Sequence, residues 1–268
     1  MDGFVVGIFG TSPSSKAAFM NSIAKKSEAE GLTVYHKTEG GKRFSFLDDS
    51  TFPDRIQGYA RIASLSDYAY YIFPAGSKLT PPDGELAVLV DSQSLEGSII
   101  TVDAPGFSPE IVQSSFRGLS LSKFPVEERN SQSSIMDLSK IKPSGASPKS
   151  GTLVYVDRAF NVKGVGLVVL GFILSGTVSI HDKLRPIPGA PGKFAEVKGI
   201  QISDEDHESA GRGVRVGLSL KGVELKDLAK TPWLDDGSFA ITNKLSFEYR
   251  QSPYYKQSVI YRDLHLQC

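Results

Sequence analysis

Between Glu127 and Gly151 the chain reads EERNSQSSIMDLSKIKPSGASPKSG, and the hydrophobic period differs on its two sides. A stretch such as PSGASPKSG buries too little apolar surface to offset its ordering entropy, so 127–151 reads as a linker that follows a short helix. The chain must therefore be at least two folding units built on different rules.

Upstream, the short apolar runs GFVVGIF, RFSFL, YAYYIFPA and GSIITVD alternate with helix-like stretches. That alternation predicts a parallel sheet wrapped by helices, a Rossmann-type α/β sandwich over 1–126. SKAAFMNSIAKKSEAEG puts Phe19, Ile23 and Ala24 at helical spacing, with lysines in its last turn and Gly31 as its stop. PPDGELAVLVDSQSLEG reads as another helix closed by a Gly turn. Downstream, TLVYVDRAF, GVGLVVLGFILSGTVSI, KLRPIP, FAEVKGIQIS and RVGLSLKGV are β-rich runs between Gly, Pro and Asp turns, which predict a small closed β-barrel over 152–235. The strands of 236–268 are too few for an independent sheet and predict the start of an incomplete third β-domain. The expected class is α/β plus all-β.

Thirty Lys and Arg balance thirty Asp and Glu among 268 residues. Zero net charge gives no field to draw in DNA, and any RNA partner must be held by a local site. The single cysteine is Cys268, which excludes an intrachain disulfide and fits a reducing, cytoplasmic setting. No apolar run approaches the roughly 20 residues that span a bilayer, so no membrane partner is expected. His207, inside SDEDHES, has no second histidine at ligand spacing, and no metal site is expected.

GTSPSSKA, Gly10 to Ala17, stands between a buried strand and a helix, where a phosphate-binding loop G-x-x-x-x-G-K-[ST] would lie. Gly10 and Lys16 are in place. Ser15 replaces the glycine that lets the backbone curl, and Ala17 offers no oxygen to magnesium. A lysine at a helix start is ordinarily solvated.

VYVDRAFNVKGVGLVVLGFILSGTVSIHDKLRPIPG, followed by AEVKGIQISDEDHESAGRGVRVGLSLKGVELKDLAKTPWL, resembles the second-domain barrel of translational GTPases, closest to the SelB-type branch of the EF-Tu family. Phe160, Gly164, Gly166, Val168 and Gly171 match one barrel motif; Ala210, Gly211, Val214, Gly217 and Gly222 fall in another. The resemblance implies a G-like domain, then the barrel, then a third barrel cut short. In that frame Asp48 stands for the magnesium-motif aspartate, Thr51 for the γ-phosphate glycine and Phe52 for the water-orienting histidine. Asp103 alone survives of the guanine-reading motif, and the interval between Lys16 and Asp48 is too short for the long switch loop. Gly10, Ser15, Lys16, Asp48 and Asp103 are thus expected to be a vestigial nucleotide site without catalytic residues. GTP or GDP would be held weakly, and magnesium is not expected.

The same resemblance implies an aminoacyl-tRNA pocket between barrel and G-like domain, assigned to Phe160 on a loop, with Lys163, Leu170, Gln201 and Arg212. For Phe160 base stacking and plugging the barrel mouth are both open; Leu170 reads better as core. Arg158, Lys163, Arg212 and Arg215 are phosphate contacts or ordinary surface, with the acidic SDEDHES beside them. Tyr254, Tyr255 and Lys256 suit RNA or packing. Two functions follow: an elongation-factor homologue that binds charged tRNA or a translation partner on a scaffold G-like domain, with the ribosome a further partner, or a divergent GTPase with slow or ribosome-stimulated hydrolysis. Ala17, Thr51 and Phe52 favour the first.

Overall fold

The computed structural model describes residues 2–27, 32–73, 79–102, 108–129, 151–189, 192–228, 231–242, 244 and 246. The first unit runs β1 (Gly3–Phe9), α1 (Pro13–Ile23), β2 (Lys25–Ser27), β3 (Leu32–Glu39), β4 (Lys42–Asp49), α2 (Gln57–Leu65), β5 (Tyr68–Phe73), α3 (Pro81–Ser92), β6 (Gly97–Val102), α4 (Pro109–Ser114) and β7 (Val126–Arg129). Its sheet order is β2-β3-β4-β1-β5-β6-β7.

Strand β1 is buried along its whole length and pairs in parallel with β4 and β5. Its side chains alternate between two cores, as a doubly covered strand requires. Val5 and Phe9 join Tyr59 and Ile62 of α2 and Leu86 and Val90 of α3, while Phe4, Val6 and Ile8 join Phe19, Met20 and Ile23 of α1. Chain connections from β1 pass toward β4 and those from β5 pass the other way, so the loop after β1 leaves at the topological switch point, where such sheets place ligands.

Three expectations are corrected here. Helix α1 stops at Ile23 because Ala24 is extended, and Lys25 and Lys26 belong to β2, not to a last helical turn. The sheet is mixed: β3, whose run LTVYHKTE alternates apolar and polar residues, forms an antiparallel hairpin with β4. Glu127–Arg129, assigned by composition to the linker, pair with β6 as an edge strand, where polar side chains remain in contact with water.

The second unit runs β8 (Leu153–Val162), β9 (Gly166–Ser175), β10 (Thr177–Ser179), β11 (Lys183–Ile187), β12 (Ala195–Ile202), β13 (Glu205–His207), β14 (Ser209–Gly211), β15 (Arg215–Lys221), α5 (Leu225–Leu228) and β16 (Trp233–Asp235). The order β11-β16-β8-β9-β15-β12, with β11 also pairing β12, closes a barrel. Inward residues such as Val154, Val169, Leu184, Val197, Leu218 and Leu234 fill it. The acidic run is the β13 hairpin at the end of β12.

The two units share a seam. The Gly3 amide donates to the Arg212 carbonyl at 2.8 Å, and a Cβ on Gly213, whose φ is +77°, would lie 2.0 Å from the Gly3 oxygen. The Arg212 guanidinium pairs with Asp67, a 3% exposed carboxylate that also accepts the Val5 amide. Tyr155 and Phe172 of the barrel belong to the same buried cluster as Phe9 and Tyr59.

Candidate functional site

The loop after β1 is short because the helix begins early. Ser12 caps α1, Pro13 takes its first turn, and Gly10, at φ +131°, turns the chain where a Cβ would meet the Ile72 carbonyl at 2.6 Å. Pro13 has no N–H. The Ser15 amide donates to Ser12 Oγ at 3.3 Å, and the Lys16 amide donates to the Ser12 carbonyl at 3.1 Å. The Thr11 hydroxyl donates to Asp83 at 2.6 Å, a carboxylate that also accepts the amide and hydroxyl of Thr80 at the start of α3.

Lys16 is buried, not solvated: it is 5% exposed and lies on the same helix face as Phe19, Met20 and Ile23. Its ammonium donates to Asp48 Oδ1 and to the Tyr59 hydroxyl, both at 2.6 Å, and that hydroxyl donates to Asp48 Oδ1 at 2.8 Å. Burial, and then the Asp48 charge, push the Tyr59 phenol far above its ordinary range, so it stays a neutral donor. Phe52, half-buried, stacks edge-on against Tyr59 at 5.4 Å and packs against the core. Thr51 gives its amide to Asp49 Oδ1 at 2.7 Å. The neighbouring carboxylate oxygen of Asp49 lies against Gly58, where a Cβ would be 1.4 Å away.

A cavity of about 130 Å³ lies on the seam and is lined by His36, Leu170, Gln201, Ser203, Asp204, Arg215, Val216 and Gly217. Its wall holds two charged groups, the exposed Asp204 and the largely buried Arg215. The Arg215 side chain is 11% exposed and sits 3.7 Å from Asp157, too far for a hydrogen bond; Nε and Nη2 of Arg215 and Oδ2 of Asp157 are buried and make none among the described residues. Burial lowers the Arg215 pKa, against the pull of Asp157. Burial, then Arg43 and Arg215, hold His36 down to about 3, so its ring is neutral.

Of the residues assigned to an aminoacyl pocket, the structure brings Leu170 and Gln201 together there, and adds Arg215 and His36. Phe160 is half-buried on strand β8, opposite Val168, and not on a loop; the glycines after it form the hairpin turn, so the strand runs past it. Lys163 is exposed in that turn, and Arg212 is engaged with Asp67. Asp103 and the segment holding Tyr254, Tyr255 and Lys256 lie outside the described residues. Among the described residues no cluster of His, Cys, Asp and Glu could hold a metal, and no helix is long and apolar enough to cross a membrane.

The structure of the elongation factor SelB from Methanococcus maripaludis, solved with the GTP analogue GppNHp, superposes with a TM-score of 0.72 over 88% of this chain, at 21% identity. The Methanocaldococcus jannaschii selenocysteine-specific elongation factor is 44% identical over a 73-residue stretch, 27% of this chain and 15% of its own. The fold is that of SelB. The chain spans about half of the SelB structure, 55% of its length. An uncharacterized protein of M. jannaschii is 27% identical over 262 residues, 97% of this chain and 80% of that one. No family model matches the chain. The fold shared with SelB is thus an α/β domain followed by a β-barrel.

Sequence reasoning missed the partners of Lys16. The signal was present: Lys16, Phe19, Met20 and Ile23 stand at i, i+3, i+4 and i+7, a single helical stripe. Tyr59 carries no such signal, since α2 was not read from the sequence.

Proposed function

We propose that this protein is a nucleotide-independent, elongation-factor-like RNA-binding protein, whose G-like domain (1–126) is a scaffold and whose barrel (152–235) receives the aminoacyl end of charged tRNA at the domain seam. The observation that carries the reading is Lys16. In a working phosphate loop the lysine reaches phosphate oxygens and consecutive amides converge on them. Here two of the ammonium's three donors are taken by Asp48 and Tyr59, and the amides of Ser15 and Lys16 are taken up by Ser12. With Ala17 in the hydroxyl position, these residues do not fit a magnesium-bound nucleotide.

The seam cavity supports the RNA half of the reading. Its volume suits one amino-acid side chain, and the Arg215 guanidinium, buried beside Asp157 at 3.7 Å and making no hydrogen bond through Nε or Nη2 among the described residues, lines its wall. A guanidinium in the wall, with the exposed Asp204 at the rim, favours a polar group over an uncharged apolar one. Leu170 and the Gln201 stem supply an apolar rim.

Filter binding with charged and uncharged tRNA tests this. The parent protein favours the charged form, and Leu170→Trp, which fills the cavity, removes the preference. Equal binding of both forms by the parent would contradict the tRNA reading.

A further inference from the structure

A basic hollow of about 380 Å³ lies on the outer face of the barrel, away from the seam, lined by Lys183, Lys193, Phe194, Glu196, Lys221 and two glycines. Its floor follows from strand pairing. Lys183 of β11 faces Glu196 of β12, which faces Lys221 of β15, while the intervening Leu184, Ala195, Val197 and Leu220 point into the barrel. The two lysines therefore stand two strand spacings apart, about 9–10 Å between Cα atoms, on one exposed face.

The charges on this face do not cancel. Glu196 is engaged by Lys198, and Lys193 by Asp227 at 2.6 Å. Lys183 and Lys221 have no carboxylate within ion-pair distance among the described residues, and both are exposed. Four lysines thus face two carboxylates in a chain whose total charge is zero. The compensating acids gather at the far end of β12, where Asp204, Glu205, Asp206 and Glu208 form the β13 hairpin, roughly 16 Å along the strand from Glu196. Beside these two lysines, Phe194 is 41% exposed, one of six large apolar side chains so exposed among the described residues.

We propose that Lys183, Lys221 and Phe194 form a second RNA-binding surface, which takes a short single-stranded segment with phosphates on the two lysines and a base against the phenyl ring. A purely acidic protein partner would use the lysines and leave the ring in water; the pairing of exposed cations with an exposed aromatic fits nucleic acid. The choice of RNA over DNA rests on the elongation-factor-like reading above.

The test is fluorescence anisotropy of the whole chain with a labelled single-stranded RNA of about 10 nucleotides, across a salt series. Lys183→Ala/Lys221→Ala is expected to weaken binding at least tenfold and to lower the salt slope by about 1.4, two phosphate contacts at about 0.7 each. Phe194→Ala is expected to weaken binding about tenfold, within the range for one stacked base, with little change in slope. The surface face makes both variants compatible with folding, checked by unchanged melting. Absence of RNA binding by the parent, binding unaffected by the lysine pair or by Phe194→Ala, or equal competition by a hexaglutamate peptide would overturn the proposal. The charged-tRNA preference, read separately, belongs to Leu170 and the seam: its loss with oligonucleotide binding intact contradicts the function proposed above and not this surface.

Discussion

Lys16 Nζ and Asp48 Oδ1 are 2.6 Å apart at the mouth of the first sheet, and both are bonded to the hydroxyl of Tyr59. An internal carboxylate thus occupies the lysine.

Removing one partner of a buried pair leaves the other charge uncompensated. Lys16→Met should therefore destabilise the protein by about 3–5 kcal/mol, and Lys16→Met/Asp48→Asn by clearly less than the sum of the single changes. Urea unfolding of the four proteins measures both quantities. A loss under about 0.5 kcal/mol for Lys16→Met would mean that the lysine is a solvated surface residue.

Arg212 and Asp67 should couple the two domains. Arg212→Ala strands a carboxylate that is 3% exposed, and is expected to cost about 3–5 kcal/mol. In calorimetry the parent should unfold in one transition and Arg212→Ala in two. A single unshifted transition in the variant would show that the seam does not depend on this pair.

Gly58 is required by the Asp49 carboxylate, which occupies the space of a Cβ. Gly58→Ala should destabilise by about 1–3 kcal/mol, and Asp49→Ala in the same chain should recover part of that loss. Melting temperatures of the two variants report it.

His36 gives the protein an acid-sensitive window. Its ordinary value of 6.5 is lowered to about 3 in the fold, first by burial and then by Arg43 and Arg215. The unfolded chain takes up that proton first, so the stabilisation is complete above about 6.5 and is lost toward pH 3, at up to about 1.4 kcal/mol per pH unit. His36→Gln should flatten the stability profile across this window; an unchanged slope would place the acid sensitivity elsewhere.

The fold was legible where periodicity is local. β1, β5 and β6 read as continuous apolar runs, and the barrel strands as short runs between turn residues. β3 was missed because LTVYHKTE carries its polar residues on a half-exposed edge hairpin, and the lysines of β2 mimicked a helix end. The site was legible in part. Ala17, Thr51 and Phe52 could be read singly, and Leu170 and Gln201 did meet at one cavity. Arg212 could not be read, because its partner Asp67 lies 145 residues away and only the docking of two domains brings them together. Arg215 and His36 reach the seam cavity for the same non-local reason.

Isothermal titration with GTP, with magnesium and then with EDTA, measures whether Lys16, held by Asp48 and Tyr59, still has room for a phosphate. Binding is expected to be weaker than about 1 mM, above roughly −4 kcal/mol, and indifferent to chelation. Micromolar or tighter binding that collapses when magnesium is removed would contradict this.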